Sequence, residues 1–392
     1  MPWRETSVET ERIAFLGEAA RKGRGGFSGL CRKYRISRPT GYLWLKRAGE
    51  GEWVLSSVRD HSRRPHRSPN RTVVEIEDRV VAWREPEGWG AKKIRQKLLE
   101  EGLELPVITI NRILKRRGLV PLVERHTPAL KRFERGAANE LLQMDFKGDY
   151  RVREGRCYPL TVLDDHSRYA VGLYALGDQR GESVQRCLIE TFERCGLPEE
   201  MLMDHGTPWW STTNSFGLTW LSVWLIKQGI QVSYGGLRHP QTQGKVERFH
   251  RTLKESLRYH GEPETLSGFA EALARFQGVY NHERPHEALG LVVPRERYRA
   301  SDRAYQADPP PWEYPQGALV KRLNSQGVLD CPGGRRFVCE ALANERVEIE
   351  EIGSHWLVKY RHQYVREIDL ETGRTLPPVR PVSRTPTEDE KV

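Results

Sequence analysis

Apolar side chains recur every three to four residues over several stretches of the N-terminal third, and this spacing predicts helices. A first trio of helices is predicted at residues 8–22, residues 27–33 and the segment that starts at Ser37. Ser37 is suited to cap the third helix, and Pro39 is tolerated in its first turn. The order of these elements is typical of a helix-turn-helix module.

The third helix of this trio is predicted to bury Tyr42, Leu43 and Leu45 and to turn Trp44 outward. In helix-turn-helix proteins the corresponding helix enters the major groove of DNA. The alternative is a small helical bundle with a solvated basic face. The residues that we expect to contact DNA from this helix are Arg38, Thr40, Lys46 and Arg47.

A second trio of helices is predicted at residues 73–84, 91–100 and 108–117. Arg112, Lys115 and Arg116 lie on its third helix and are candidate DNA contacts. Between the two trios, residues 60–71 contain no apolar side chain and two prolines, which predicts a basic linker. Arg63 and Arg64 of this linker are expected to lie along phosphates.

After residue 138 the pattern changes to short apolar runs that predict β-strands. Strands are expected at residues 140–147, 158–164, 169–175, 200–204 and 231–234, and helices at 183–195 and 216–228. The turn from Asp165 to Arg168 is short enough for an antiparallel hairpin, and Asp165 with Arg168 is expected to stabilise it. Three antiparallel strands followed by alternating helices and strands predict a ribonuclease-H-like core with a mixed sheet.

The stretch 238–254 predicts one further helix with two distinct stripes. Val246, Phe249, Leu253 and Leu257 recur at helical spacing and should be buried. Glu247, Arg251 and Lys254 share the adjacent stripe, at the rim of the core. Taken alone, this pattern also fits an ordinary amphipathic helix with a surface Glu-Arg pair.

The C-terminal part predicts a separate β module. Residues 301–315 are rich in proline and should form a stiff linker. Five apolar runs at 318–323, 335–339, 346–352, 355–360 and 364–370 predict a small SH3-like β-barrel. The fold class is therefore multidomain α/β, with predicted domains at 1–59, 72–120, 138–300 and 316–372, linkers at 60–71, 121–137 and 301–315, and a disordered tail at 373–392.

Charge is distributed unevenly along the 392 residues, whose net charge is +10. Residues 1–135 carry 30 Lys and Arg and 17 Asp and Glu residues, a net charge of +13, whereas the remainder carries −3. A basic region attached to a near-neutral body indicates binding to a polyanion, most simply nucleic acid. Charge alone does not establish this function, because terminal tails and ribosome-like surfaces are also basic.

Several classes of protein do not fit this sequence. There is no run of about 18 apolar residues to span a membrane, and the charged start Met-Pro-Trp-Arg does not resemble a secretory signal. The six cysteines are scattered without a Cys-x-x-Cys pair, which argues against a zinc site and a disulfide framework. We expect a protein of the reducing cytoplasm, associated with the nucleoid.

Three carboxylates occur in places where a structural role is hard to justify. Asp145 lies inside an apolar run, Asp204 ends a short apolar strand, and Glu247 lies on the helix expected beside them. A carboxylate near a core is costly unless it is paired or bound to metal. Three converging carboxylates form a hard oxygen site suited to Mg²⁺ or Mn²⁺, and two such ions can support phosphodiester chemistry.

Five motifs together resemble the integrase core of bacterial insertion-sequence transposases, which is akin to retroviral integrases. They surround Asp145, Asp165, Asp204 and Glu247, and the fifth runs from Tyr280 to His286. The resemblance covers about residues 138–300. It implies that Asp145, Asp204 and Glu247 are the Asp-Asp-Glu triad that holds two divalent metal ions and acts on DNA ends.

The sequence departs from the family pattern at two points. His205 follows the second acid, where the family usually has asparagine. In addition, 42 residues separate Asp204 from Glu247, which is longer than the usual separation, and Trp209 and Trp210 lie within this segment. These tryptophans are expected either to belong to the core or to stack on bases.

The resemblance implies a transposase that binds the ends of its element, cleaves them to 3′-hydroxyls and joins them to target DNA. Lys245, Arg251 and Lys254 flank Glu247 and are candidate contacts for phosphates of double-stranded DNA. A homo-oligomer on DNA is expected because two ends are handled together; the sequence does not determine whether an accessory ATPase takes part. The alternatives are a catalytically idle DNA-binding regulator and a related ribonuclease-H-like nuclease.

Overall fold

The computed structural model describes residues 7–22, 26–49, 60, 71–119, 134–211, 217–235 and 244–377. The chain divides into two compact units, residues 1–73 and residues 74–392. The predicted contacts Arg63 and Arg64 lie outside the described residues, as do most of the two basic linkers.

The first unit contains three helices, α1 (Val8–Lys22), α2 (Phe27–Lys33) and α3 (Arg38–Gly49). Phe15, Leu16, Leu30, Cys31 and Trp44 form its core. The Ser37 hydroxyl accepts a hydrogen bond from the Thr40 amide at 3.2 Å, which confirms that Ser37 caps α3.

The buried face of α3 differs from the prediction. Trp44 is buried, with 6% of its surface exposed, whereas Tyr42 and Leu43 are 54% and 47% exposed. The reason is Gly41, at which a Cβ atom would lie 2.9 Å from both the Cys31 sulfur and the Phe27 ring. The absence of a side chain there lets α3 approach α2 on the Gly41 and Trp44 face, and this turns Tyr42 and Leu43 to solvent.

The second unit begins with three more helices, α4 (Val74–Arg84), α5 (Ala91–Glu100) and α6 (Val107–Arg116). Val80, Ile94, Leu98, Ile110 and Ile113 are fully buried between them. Their bounds agree with the predicted second trio to within one residue.

Two layers of helices then enclose a central sheet. In chain order, this domain contains β1 (Leu141–Phe146), β2 (Tyr150–Val152), β3 (Gly155–Asp164), β4 (Ala170–Leu176), α7 (Gly181–Cys195), β5 (Glu200–Met203), β6 (Trp210–Ser211), β7 (Gly217–Leu218), α8 (Trp220–Lys227), β8 (Gln231–Tyr234), α9 (Gly244–His260), α10 (Leu266–His282) and α11 (Pro294–Arg297). Strand β3 pairs antiparallel with β1, β2 and β4. Strand β1 pairs with β5, and β5 with β8, in parallel. The predicted mixed sheet is therefore confirmed.

Alternation along β1 and β3 divides the core between the two faces of the sheet. Leu142, Met144, Leu160 and Val162 pack with α7 and α8. Cys157 and Leu163 belong to a second cluster together with the buried stripe of α9 and residues of α10. Asp145 alternates with Met144 and consequently faces α9.

Helix α8 begins later than predicted. Gly217–Leu218 pairs with Trp210–Ser211 as a short two-stranded sheet, so the chain is not helical at residues 217–219, where a helix was expected. Residue 216 lies outside the described residues. Thr219 caps the helix by accepting a hydrogen bond from the Ser222 amide.

The C-terminal part is a β module that shares its core with the central sheet. Its strands are β9 (Leu319–Arg322), β10 (Val328–Cys331), β11 (Gly334–Phe337), β12 (Arg346–Ile352), β13 (His355–Tyr360), β14 (Gln363–Asp369) and β15 (Thr375–Leu376). Five of them form an antiparallel sheet in the order β15, β14, β13, β12 and β9, and β10 pairs with β11. Strand β10 was not predicted. Strand β15 corrects the expectation of disorder for residues 373–377, and the rest of the expected tail, residues 378–392, lies outside the described residues. Closure into an SH3-like barrel stays a prediction.

The proline-rich segment lies against the central domain over part of its length. Arg303 donates hydrogen bonds to the carbonyl oxygens of Pro198 and Gly229. Leu323, Leu329 and Trp356 of the C-terminal module belong to the same hydrophobic cluster as Leu142 and Met144. In this unit the predicted boundaries therefore separate residues that pack together. None of the helices in the described ranges is long and apolar enough to cross a membrane.

Candidate active site

Strands β1 and β5 place two of the predicted acids side by side. Gln143 pairs with Leu202 in parallel register, so Asp145 and Asp204 lie two residues further on at neighbouring positions. Asp204 directly follows the last residue of β5. Asp145 therefore lies on its strand as expected, whereas Asp204 lies one residue beyond the end of the adjacent strand.

Helix α9 carries the third acid. Val246, Phe249, Leu253 and Leu257 are buried, as their spacing predicted, and His250 joins them on this face. Glu247 lies in the first turn of the helix and is exposed, as are Arg251 and Lys254. The buried stripe fixes the helix on the sheet, and the adjacent stripe remains accessible to a ligand.

The protonation of Asp145 shows that the three acids influence one another. Burial raises the pKa of Asp145 to about 7, and the negative charges of Asp204 and Glu247 contribute to the rise. The Phe146 amide and Lys147 oppose it. Near neutral pH the cluster therefore favours a bound proton or an added cation.

His250 does not supply that positive charge. Its Nδ1 atom lies 3.7 Å from Asp145 Oδ2, and its Nε2 atom is 3.0 Å from the Thr161 hydroxyl. Burial lowers the pKa of His250 to about 3, and Lys147 adds to the effect. The imidazole is consequently neutral at physiological pH.

The donor chemistry of the three carboxylates fits a hard divalent cation such as Mg²⁺. Among the described residues, no three Asp, Glu, His or Cys side chains are grouped closely enough to hold a metal ion. Asp145, Asp204 and Glu247 thus share an electrostatic environment without forming a closed coordination sphere. Ionising Asp145 is costly because it is buried near Asp204 and Glu247. A bound divalent cation would offset that cost.

Asp204 accepts a hydrogen bond from Trp209, a contact that the sequence did not predict. Its Oδ1 atom accepts hydrogen bonds from the Trp209 indole Nε1 at 2.7 Å and the Gly206 amide at 2.9 Å. Trp209 is 1% exposed and stacks on Phe146 at 5.3 Å. Trp209 is therefore a core residue, which is one of the two roles predicted for it. The only signal in the sequence for its hydrogen bond to Asp204 is that the two residues are separated by a short turn.

His205 and Trp210 form an aromatic group beside Asp204. Their ring centroids are 4.4 Å apart, and the Trp210 ring lies 4.6 Å from Tyr234. Gly217 is required next to them, since its φ is +72° and a Cβ there would lie 2.1 Å from the Trp210 ring. Trp210 is thus held within the short hairpin.

Lys245 is placed differently from the phosphate-binding lysine that we expected. Its Nζ atom lies 2.6 Å from Asp165 Oδ2, and only 14% of its side chain is exposed. Asp165 is fully buried and also accepts hydrogen bonds from the Arg135 amide and the Gln143 side chain. Arg168 donates to the Asp165 carbonyl oxygen, which confirms that this pair stabilises the hairpin turn.

The candidate DNA contacts differ in their exposure to solvent and in the side chains that they contact. Arg38, Lys46, Arg112, Lys115, Arg251 and Lys254 are exposed. Thr40 bonds the Ser37 hydroxyl, and the Arg47 guanidinium lies over the Trp44 ring at 4.8 Å. Arg116 is 2.9 Å from Glu77, a fully buried carboxylate that Arg117 also contacts. Arg116 therefore has a structural partner within its own module.

Comparison with known proteins identifies the central domain. Residues 135–240 and 228–294 match two family models, each described as an integrase core domain. The chain is 29% identical over 234 residues to an uncharacterized 31.7 kDa protein of insertion element IS407 from Burkholderia multivorans, covering 59% of this chain and 77% of that protein. It is 25% identical over 170 residues to an uncharacterized 39.2 kDa protein of insertion element IS476 from Xanthomonas euvesicatoria, covering 43% and 47% of the two chains.

Solved structures of retroviral integrases align with low scores. The HTLV-2 integrase catalytic core domain in complex with magnesium aligns with a TM-score of 0.33 and 14% identity, covering 42% of this chain and 99% of that chain. A chain of the simian T-cell lymphotropic virus intasome in complex with PP2A regulatory subunit B56 gamma aligns with a TM-score of 0.39 and 11% identity, covering 77% and 99%. The identification of the domain rests on the family models and the insertion-element proteins.

Proposed function

We propose that this chain, which carries an integrase core domain and is related to proteins of bacterial insertion elements, is a DNA transposase. It binds the ends of its element, cleaves them to 3′-hydroxyls and joins them to target DNA. The observation that supports the proposal is that Asp145 on β1 neighbours Asp204, which directly follows the adjacent strand β5, with Glu247 close enough to raise the pKa of Asp145.

Asp145, Asp204 and Glu247 are the residues that would hold the divalent cations, two Mg²⁺ or Mn²⁺ ions in this proposal. The chemistry that such ions supply when bound is activation of the attacking oxygen and stabilisation of the departing one. The protein itself contributes orientation. The sheet fixes the two aspartates, and the buried stripe of α9 fixes Glu247 beside them.

Exposed cations support double-stranded DNA as the substrate. Arg251 and Lys254 follow Glu247 on the exposed stripe of α9, where they would bind phosphates of the DNA end. In the N-terminal modules, Arg38 and Lys46 on α3 and Arg112 and Lys115 on α6 are exposed. Such contacts position a duplex through its backbone and release counterions on binding. A homo-oligomer would bring two DNA ends together.

The test is strand transfer of a labelled element end by the full chain in Mg²⁺. The variants Asp145→Asn, Asp204→Asn and Glu247→Gln are expected to lower joining by at least about a thousandfold while end binding is retained, because the carboxylates act in the chemical step. Glu255→Gln, which removes an exposed carboxylate from the same helix, is the matched control and should join DNA like the wild type.

Three outcomes would contradict the proposal. Joining that survives all three substitutions would move catalysis away from these acids. DNA binding by a wild-type protein that neither cleaves nor joins would support the idle regulator, and cleavage without joining would support a related nuclease.

A further inference from the structure

Trp209 lies in the core, where it contacts both Asp204 and Phe146, the residue after Asp145. Its indole N–H donates to Asp204 Oδ1 at 2.7 Å, and its ring stacks on Phe146, the residue after Asp145, with an interplanar angle of 14°. The side chain is 1% exposed. One residue therefore contacts the carboxylate of the second acid and the neighbour of the first.

The position of Trp209 is itself fixed by the next helix and the next strand. Its carbonyl oxygen accepts hydrogen bonds from the Ser222 hydroxyl at 2.6 Å and the Tyr234 hydroxyl at 3.0 Å. Those two hydroxyls are also 2.8 Å apart, so either one can donate to the other in place of the carbonyl oxygen. Because Ser222 lies on α8 and Tyr234 on β8, the backbone of Trp209 is tied to a helix and to the strand that pairs with β5.

The hydrogen bonds to Asp204 all reach the same oxygen. The Gly206 amide and the Trp209 indole both donate to Oδ1, and no donor to Oδ2 is found within the described ranges. A Cβ atom at position 206 would lie 2.9 Å from Oδ1, so glycine is needed for this close approach. The indole N–H is a donor only, so Oδ1 of Asp204 serves as its acceptor.

We infer that Trp209 is a positioning residue: its indole N–H holds Asp204 through Oδ1 and leaves Oδ2 directed to the divalent cation. The role of the cation in this inference rests on the proposed function. The orientation of Asp204 rests on the hydrogen bonds from Gly206 and Trp209. Hydrogen-bonded partners of metal ligands orient them, and their loss typically weakens metal binding by about 10–100-fold.

The first experiment compares metal binding by full-chain variants that differ at the two adjacent tryptophans. Trp209→Phe keeps an aromatic ring against Phe146 and removes the N–H, whereas Trp210→Phe changes the neighbouring ring, which makes no hydrogen bond to Asp204 in the described structure. The Mg²⁺ concentration that gives half of the metal-induced rise in melting temperature is expected to increase about tenfold for Trp209→Phe. It should stay within about twofold for Trp210→Phe.

A second variant protects the test against misfolding. Site-specific replacement of Trp209 by 3-benzothienylalanine preserves the two-ring shape and exchanges only N–H for sulfur. It should melt like the wild type without metal and still show the weaker response to Mg²⁺. A normal response of this folded variant to Mg²⁺ would overturn the inference, and a tighter response would show that the indole restrains Asp204 instead of presenting it.

The second experiment does not depend on activity. In ¹H–¹⁵N spectra of the indole groups, the Trp209 signal is identified by its loss in Trp209→Phe. Asp204→Asn is expected to shift that signal and to accelerate its hydrogen exchange, because a charged acceptor is replaced by a neutral one. Mg²⁺ should shift the signal in the wild type and leave it unchanged in Asp204→Asn.

The two experiments separate the inference from the proposed function. If DNA joining fails in the wild type while the Trp209 signal responds to Asp204→Asn and to Mg²⁺, the function is wrong and the positioning role stands. If DNA joining succeeds while the signal ignores both changes, the positioning role is wrong.

Discussion

Asp145 is a carboxylate whose surroundings disfavour its charged form and so lower the stability of the fold near neutral pH. Its carboxyl group is partly buried, with 23% of the side chain exposed, and faces two further acids. The pKa is about 7 in the folded protein, compared with an ordinary value of 3.8. The folded state therefore retains a proton that the unfolded chain releases between these values, and stability falls as the pH rises through this window.

Asp145→Asn is consequently expected to stabilise the metal-free protein at pH 8, on the order of 2–4 kcal/mol, because each pKa unit corresponds to about 1.4 kcal/mol. Near pH 4, where the carboxyl is protonated in the folded state, the gain should largely vanish. Melting temperatures in EDTA at the two pH values measure this. Mg²⁺ should raise the melting temperature of the wild type at pH 8 and have little effect on the variant.

Equal melting temperatures for Asp145→Asn and the wild type at pH 8 in EDTA would mean that the acids are too well solvated to repel one another. Glu255→Gln again serves as the control, since Glu255 is an exposed carboxylate on the same helix.

Lys245 shows that a residue type does not determine its partner. In the sequence it flanks Glu247 among other cations, which favoured a phosphate contact. In the structure it neutralises Asp165, a fully buried carboxylate 2.6 Å away. A buried charge requires a partner, so this ion pair competes with any contact to DNA.

At the scale of elements, α3 is the helix whose orientation the sequence predicted wrongly. Its apolar residues Tyr42, Leu43 and Leu45 outnumbered Trp44, but the glycine at position 41 determined which side could approach α2. The exposed side of α3 now carries Tyr42 and Leu43 between Arg38 and Lys46. A mixed apolar and basic face of this kind suits the edges of bases and their adjacent phosphates.

Two single substitutions on α3 should affect different properties, one the stability of the first unit and the other its binding to DNA. Trp44→Ala is expected to destabilise the first unit by about 3–5 kcal/mol, because it removes a large buried aromatic side chain. Tyr42→Ala should cost less than about 1 kcal/mol and instead weaken binding to a duplex selected by the wild type from a random pool. Hydrogen exchange of residues 8–49 in the full chain reports stability, and fluorescence anisotropy reports binding.

Strong destabilisation by Tyr42→Ala, with Trp44→Ala harmless, would restore the face originally predicted. Unchanged DNA binding by folded Tyr42→Ala would exclude Tyr42 from the DNA contact while leaving the packing of α3 as described.

Across the whole molecule, the second helical trio packs on the central domain of its own unit. Tyr259 of α9 donates a hydrogen bond to the Glu85 carbonyl oxygen, and Arg275 of α10 lies 3.0 Å from Glu87. Lys92 of α5 is 3.0 Å from Glu287. Val279 of α10 packs against the hydrophobic cluster of the trio. This trio is thus part of the framework that supports α9.

Truncations should distinguish the two helical modules. Deletion of residues 1–73 removes one compact unit and should shift the melting temperature of the remainder by no more than a few degrees, while the DNase footprint on the element end shortens. Deletion of residues 1–119 uncovers Tyr259 and Val279 and should lower the melting temperature further or cause aggregation, since apolar surface is exposed. Calorimetry and footprinting provide the measurements.

If both truncations melt alike, α4 to α6 contribute no support to α9. If the footprint is unaltered in both, the element end is recognised by other parts of the chain.

Local pattern predicted most of the elements, although it missed β10 and the start of α8. The stripe of α9 was predicted residue by residue, since helical periodicity is a property of neighbouring positions. The bounds of β12 and β13 followed in the same way from runs of apolar residues between turns. Asp145 and Asp204 stand out because one lies inside an apolar run and the other ends one, whereas Glu247 was singled out only by the resemblance of its motif to the integrase core. The role of the three acids as metal ligands stays a prediction.

The tertiary structure alone decided which distant groups meet. It placed the Trp209 indole on Asp204, Lys245 on Asp165, and the C-terminal strands against the core of the central sheet. It also chose the buried face of α3 through the space left by Gly41. Periodicity specifies an element and its apolar side, but such contacts depend on the distance and direction between elements, which packing sets after the local structure has formed.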